Sequence, residues 1–383
     1  MNSPTNSFFS LLKNKIKLHL IRHKVYYIYT LIITILLVSL SILSRKSTAF
    51  SEWYSTHIYR AIQEVISRIT GIFPFSLFEL LICGFIIFII AIIVLTIKLI
   101  IQKKGRKLIK LYAFLFSATL TVLLIFMLNC GINYHRLPFS AYSGLTVEKN
   151  STTKLVELCE FLIEKANNSV PYIDIEDNED YGFLFTLNNT NGQAEAVKAM
   201  NKLGEIYPAL SGYYPKPKPV ISSIIMSYEF ITGVYSAFTV EANYNNHVAD
   251  YTIPHTMCHE LSHLRGFMRE DEAEFIAYLA CIVSDNANFN YSGYVNALTH
   301  VLNSVYSNCD KDVYIQLYSK LNPQIVRDYN YNNRYWDKFE TPVAEIADAV
   351  NNIYLQANAQ TDGVKSYGRM VDLLLAYYSD VLK

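Results

Sequence analysis

The sequence is short of charge. Only 17% of its 383 residues are Asp, Glu, Lys or Arg, against 51% hydrophobic, and the two signs cancel to zero net charge. There is no positive excess and no basic cluster with interleaved aromatics, so nucleic acid is not an expected partner. Glycine is sparse, at 14 residues, and no Gly-rich loop of the phosphate-cradling kind occurs. The six cysteines (Cys83, Cys130, Cys159, Cys258, Cys281 and Cys309) show no metal-type C-x-x-C spacing, and six in a chain this long do not make a disulfide framework. Buried free thiols are expected instead. No internal repeat or low-complexity linker divides the chain.

The hydrophobic surplus is local. Val25 to Leu43 carries no charge, Phe75 to Ile97 only Glu79, and Leu111 to Leu128 none. Each approaches or exceeds the roughly 18–20 apolar residues that cross a bilayer as a helix. The expected spans are about 25–43, 75–97 and 111–128, within a membrane region 1–131. The first run is longer than a signal-peptide core and is followed by no clean small-x-small site, so it reads as an uncleaved anchor.

Basic residues set the expected orientation. Lys13, Lys15, Lys17, Arg22 and Lys24 precede the first span, and Lys103, Lys104, Arg106, Lys107 and Lys110 lie between the second and third. The positive-inside rule places both groups in the cytoplasm. A domain of residues 132–383 then lies outside a bacterial cytoplasmic membrane, and the lipid bilayer is one partner. In the first outer loop Phe50, Trp53, Tyr54, Ile58, Ile62, Val65, Ile66 and Ile69 recur at helical spacing. They predict an amphipathic helix on the membrane surface or against the external domain.

The external domain predicts helices over 151–166 and 193–207, a loop over 213–219, and strands over 220–226 and 233–240. After His255 the periodicity is helical, over about 272–285, 292–306, 310–320, 342–356 and 365–381. The order is α+β: three transmembrane helices, then a mainly helical domain with a small β-sheet.

The chemistry concentrates in His259-Glu260-Leu261-Ser262-His263. Histidines four apart share one helix face and can hold one Zn²⁺, with the glutamate between them facing the metal's water. Pro254 starts this helix and Gly266 ends it. A second helix opens in the acidic run Glu270-Asp271-Glu272. A catalytic zinc commonly takes three protein ligands, so a third must join His259 and His263. The residues alone leave Glu270, Glu272 and Glu274 open. Glu260 is the expected general base. His255, one turn earlier, stays outside the ligand set. Tyr291, Tyr294, Tyr367 and Arg369 are candidate donors to an oxyanion, the last two because Ser-Tyr-Gly-Arg-Met interrupts an apolar helical stretch.

Gly266 matches the glycine of the metzincin pattern, but Arg269 stands where that pattern has its third histidine. The site resembles gluzincin metallopeptidases more closely. That resemblance implies Glu270 as third ligand, Glu274 as the residue orienting a histidine, and an edge strand within Gly233–Asn245 to hold substrate, with Glu241 and Asn243 as caps for its backbone. Across nearly its full length the chain also resembles an uncharacterised bacterial family of three-span membrane proteins with an extracytoplasmic zinc-peptidase-like domain. The matching pieces are Phe73–Leu81, Asn133–Arg136, Gly233–Asn245, Pro254–Cys281 and Ser366–Leu373.

The expected function is a membrane-anchored zinc metallopeptidase, its substrate a peptide or protein segment in the cell envelope. Arg265, Arg269 and the acidic run flank the motif, which sets it apart from an intramembrane protease. Zinc amidase action on peptidoglycan stem peptides shares the same chemistry. The alternative is a catalytically inactive ectodomain of the same fold that binds a cell-envelope ligand or protein partner. Intact Glu260 favours the enzyme, because a binding module needs no general base. Oligomeric state leaves no mark on the sequence.

Overall fold

The computed structural model describes residues 24–148, 151–360, 362–363 and 368–382. Three helices are long and apolar enough to cross a membrane: α1 (Lys24–Lys46), α4 (Leu77–Ile101) and α5 (Gly105–Asn129). α1 and α5 extend the expected spans at both ends, whereas α4 starts two residues later than expected, after its cap Ser76, and runs four residues further. Between α1 and α4 the outer loop forms α2 (Thr48–Trp53), a π-helical turn (Tyr54–Tyr59) and α3 (Arg60–Thr70).

The rest is mainly helical with two small sheets. In order come α6 (Thr152–Ser169), the hairpin β1 (Ile175–Asn178) and β2 (Gly182–Phe185), α7 (Gly192–Ile206), β3 (Lys218–Pro219), α8 (Ser223–Tyr228), β4 (Gly233–Ser236) and β5 (Glu241–Tyr244). Then follow α9 (Ile253–His263), α10 (Glu270–Val283), α11 (Ala287–Asn308), α12 (Lys311–Tyr318), α13 (Pro323–Asp337), α14 (Pro342–Ala357) and α15 (Met370–Tyr377).

The core forms around α10, whose Phe275, Ile276, Ala277, Tyr278 and Leu279 are fully buried. It packs between α9, α7 and α11, and α11 packs in turn on α6. Every residue of α9 is buried, its polar ones included. In such a helix the polar side chains must satisfy one another, since water is excluded.

Several expectations need correction. Residues 220–226 do not form a strand; only Lys218–Pro219 pairs with β5, and the chain turns into α8. The reason is remote. The Glu79 carboxylate on α4 accepts from the backbone nitrogens of Ile221 (3.0 Å) and Ser222 (2.8 Å), fixing the turn that leads into α8. The strand expected over 233–240 ends at Ser236, where the chain turns through Val240 at φ +53° and returns as β5. The β1–β2 hairpin and α13 were not foreseen. The segment between α1 and α4 packs against the part of the chain that follows α5: Tyr59 Oη donates to His263 O (3.2 Å) and Arg60 Nη2 to Ser211 O (2.7 Å).

Glu241 ties the sheet to the membrane helices. It is almost fully buried with Lys218, and the two form an ion pair. Its carboxylate also accepts from Phe78 N (2.9 Å) and Leu77 N (3.4 Å) at the start of α4, while Lys218 Nζ donates to Thr70 O (2.8 Å) at the end of α3. Glu241 is thereby committed to structure. The same holds for Asn243, whose amide donates to Val234 O and Glu241 O, both at 3.3 Å.

Removing one partner of such a pair leaves a buried charge uncompensated. Lys218→Met is expected to destabilise the full chain by about 3–5 kcal/mol. Loss of the exposed Lys198–Glu195 pair by Lys198→Ala should cost no more than about 0.5 kcal/mol. Chemical denaturation in detergent measures both.

Candidate metal centre

α9 and α10 meet head to tail. α9 ends at His263, the chain reverses at Gly266 (φ +79°), and α10 starts at Glu270. This turn points the last face of α9 at the first turn of α10. His259, His263 and Glu270 each bring one ligand atom into a group within 4.8 Å, all three buried. His259 Nε2 lies 3.2 Å from His263 Nε2 and 3.1 Å from Glu270 Oε2, and His263 Nε2 lies 3.9 Å from the same oxygen.

Hydrogen bonding identifies what these atoms present. His263 Nδ1 donates to the Phe267 carbonyl at 2.7 Å. A carbonyl only accepts, so neutral His263 turns a bare Nε2 lone pair inward. Burial pushes its pKa down to about 4, which keeps it neutral. His259 Nδ1 faces Glu274 Oε1 at 3.3 Å, which favours the same tautomer and again turns Nε2 inward. With His259 in that tautomer and uncharged, three electron-pair donors face one another in a buried space; a metal ion, or a proton on His259 Nε2 shared with Glu270 Oε2, relieves the repulsion.

Zinc fits this donor set. Ligand atoms 2.0–2.1 Å from zinc at tetrahedral corners stand about 3.3 Å apart, close to two of the three separations. Two imidazoles and a carboxylate are also a donor set that zinc accepts. Without a metal, a proton takes the cation's place. Burial alone would lower the His259 pKa, but Glu274 and Glu270 outweigh it and hold it well above the ordinary histidine range.

Glu274 organises a second layer. Its Oε2 lies 3.6 Å from both His255 Nε2 and His300 Nε2, while its Oε1 faces His259. Burial opposes its ionisation, but the histidines hold its pKa well below the usual carboxylate range. His255 thus stands behind Glu274 rather than in the cluster. His300, on α11, gave no sequence signal; a lone histidine on a helix carries none. Glu272 turns elsewhere and accepts from Arg269 Nε (2.9 Å) and Phe139 N (3.1 Å).

Glu260 lies beside the cluster under β4, the edge strand of a sheet ordered β3-β5-β4. A Cβ on Gly233 would come within 2.7 Å of Thr256 Cγ2 and 2.8 Å of Glu260 Cγ, so only glycine lets the strand lie this close. The buried Glu260 Oε2 has no hydrogen-bond partner among the described residues. Burial, reinforced by Glu270 and Glu274 and opposed by His259, raises its pKa to about 8.

The other candidates are placed differently. Arg369 pairs with Asp271 (Nε to Oδ2, 3.4 Å) and Asp362 (Nη1 to Oδ2, 3.1 Å). Tyr367 lies outside the described residues. Tyr291 is buried against Asp328, and Tyr294 packs near Tyr278. Hydroxyls that sequence reasoning missed stand closer. Tyr134 and Tyr354 hydrogen-bond each other at 3.2 Å, and after burial the Glu270 charge helps push both far above the ordinary tyrosine range. The Tyr235 ring lies 6.0 Å from that of His263, and its hydroxyl is 2.9 Å from the Tyr59 hydroxyl.

A family model described as a protein of unknown function, DUF3810, matches residues 54–375, and the chain belongs to that family. No curated protein and no solved structure matches it.

Two outcomes follow from the geometry. Glu270→Gln should weaken zinc binding sharply and Glu274→Gln by about 10–100-fold, while Glu272→Gln leaves it unchanged, as read by competition with a chelating dye. The second concerns pH. Glu260 ionises near pH 4.5 when unfolded and near 8 when folded, so the folded state holds an extra proton across that window and loses stability as pH rises through it. In chelator-treated protein, Glu260→Gln should melt higher than the native chain. The gap should grow from pH 4.5 to 8 and close below 4.5.

Proposed function

We propose that this protein is a membrane-anchored, zinc-dependent metallopeptidase that hydrolyses peptide bonds outside the cytoplasmic membrane. The observation that carries this reading is the convergence of three buried electron-pair donors, His259 Nε2, His263 Nε2 and Glu270 Oε2, beside an unpartnered Glu260 carboxyl oxygen.

Bound zinc would supply a Lewis acid that polarises a peptide carbonyl and lowers the pKa of water. His259, His263 and Glu270 would hold it. Glu274 fixes the His259 ring, and the Phe267 carbonyl fixes that of His263. Glu260 takes the proton of the attacking water and returns it to the leaving amine. The positive charge of a bound metal would favour the ionised carboxylate that this exchange needs. β4 is an edge where an extended peptide can add a strand next to Glu260. Tyr134 and Tyr354, whose hydroxyls feel the Glu270 charge, are candidates for stabilising charge on the carbonyl oxygen. The basic residues where α4 meets α5, Lys103 and Lys104 in the turn and Arg106 and Lys107 in the first turn of α5, support the external placement.

Full-length protein in nanodiscs, assayed for bound metal and for cleavage of a fluorogenic peptide pool, tests the reading. Glu260→Gln should retain zinc and lose about 10²–10⁴-fold in rate. A metal-free native protein, or equal rates in the two forms, would sink it.

A further inference from the structure

The outer-loop helices are built inside out for a water-soluble surface. On α2, the π-turn and α3, the buried side is rich in polar groups: Ser51, Gln63 and Ser67 are fully buried and Ser55 nearly so, beside the buried rings of Tyr54 and Tyr59. The outward side carries Trp53, Ile58, Val65 and Ile69, which are 50%, 40%, 60% and 57% exposed, beside His57 and the Arg68–Glu64 ion pair. In water the two faces would be reversed. The polar side is fully engaged with the domain. Ser55 Oγ donates to Asn133 Oδ1 (2.6 Å), Gln63 Oε1 accepts from Arg265 Nη1 (3.0 Å), and Arg60 Nη2 donates to Ser211 O (2.7 Å). What the apolar side faces must therefore be apolar too.

α14 buries Ala344 and Leu355 but also carries exposed apolar residues. Val343, Ile346, Val350 and Ile353 form one exposed stripe along it. Its end is anchored at the mouths of two spans. Arg45 Nη2, in the last turn of α1, donates to Ala357 O at 3.0 Å, and the Tyr354 ring lies 6.1 Å from Phe126 on α5.

We propose that α2–α3 and the stripe of α14 seat in the lipid leaflet on the domain's side of the membrane, so that the His259/His263/Glu270 centre works on polypeptide segments lying at that surface. Lipid is the occupant because both surfaces continue directly from the lipid-facing spans: α2–α3 is strung between α1 and α4, and α14 rests on α1 and α5. An exposed tryptophan at such a boundary suits the interfacial zone. The centre belongs to the same zone. Tyr59, from the π-turn, donates to the His263 carbonyl at 3.2 Å, and Asn129, the last residue of α5, donates to Ala237 O at 2.7 Å just past β4. The substrate class rests on the peptidase reading; the seating does not.

Trp53 and Trp336 are the two tryptophans, so Trp336→Phe leaves Trp53 as sole reporter. This full-length variant is placed in phosphatidylcholine vesicles with bromines near the headgroup end of the acyl chains. Trp53 emission should fall to roughly half, as expected for a side chain at the headgroup–acyl boundary. Emission quenched only by aqueous acrylamide would overturn the seating. So would emission quenched by neither agent, which would put a second copy or another protein over the face. In the same vesicles, a random-sequence fluorogenic peptide pool carrying a palmitoyl anchor should be cleaved about tenfold faster than the unanchored pool. Equal rates would overturn the substrate class. Bromine quenching with no cleavage of either pool would support the seating and refute the peptidase reading alone.

Discussion

His259, His263 and Glu270 point their electron pairs at one another inside a buried space, and the structure around them serves to hold that arrangement. Left alone, the three would separate. α9 and α10 cannot, because their apolar residues are locked into the core and Gly266 fixes the turn between them. The His263 ring is held by its hydrogen bond to the Phe267 carbonyl, and the outer nitrogen of His259 faces the Glu274 carboxylate at 3.3 Å. Such a centre needs a cation to be at rest. In our reading zinc supplies it, and the same positive charge would draw Glu260 toward its ionised form.

The second constraint is the joint between domain and membrane helices. It joins an apolar cluster, in which Tyr54, Tyr59, Ile132 and Tyr134 pack with Ala237 and Met268, to a set of buried polar ties. The buried Lys218–Glu241 pair reaches the start of α4, and Glu79, on α4, fixes the turn into α8. Hydrogen bonds give this joint direction, so it sets the orientation of the sheet as well as its contact. β4 inherits that orientation and lies against Glu260. The membrane helices thus help to place the strand that the proposed mechanism uses.

What was legible in the sequence was local. The candidate spans stood out as long apolar runs with at most one charge, and the helix–turn–helix of 253–283 could be placed from Pro254, Gly266 and the acidic run. Whatever depended on distant partners was not legible. The stretch 220–226 is rich in β-branched and apolar residues, and its turn into a helix depends on a carboxylate about 140 residues earlier in the chain. Glu79 looked like a lone interruption in an apolar span; its role as a cap shows only in three dimensions. His300, Tyr134, Tyr235 and Tyr354 reach the centre from separate elements, and among 30 tyrosines no spacing rule picks out three. Glu241 and Asn243 fell within the expected substrate strand, yet pairing commits both to the fold.

X-ray absorption at the zinc edge, on full-length protein purified without added metal, tests the central claim most directly. The account predicts zinc bound by two imidazole nitrogens at about 2.0–2.1 Å and carboxylate or water oxygen at about 2.0–2.2 Å, with no sulfur in the shell. A sulfur-bound zinc, or a protein that takes up no zinc even when it is supplied, would contradict it.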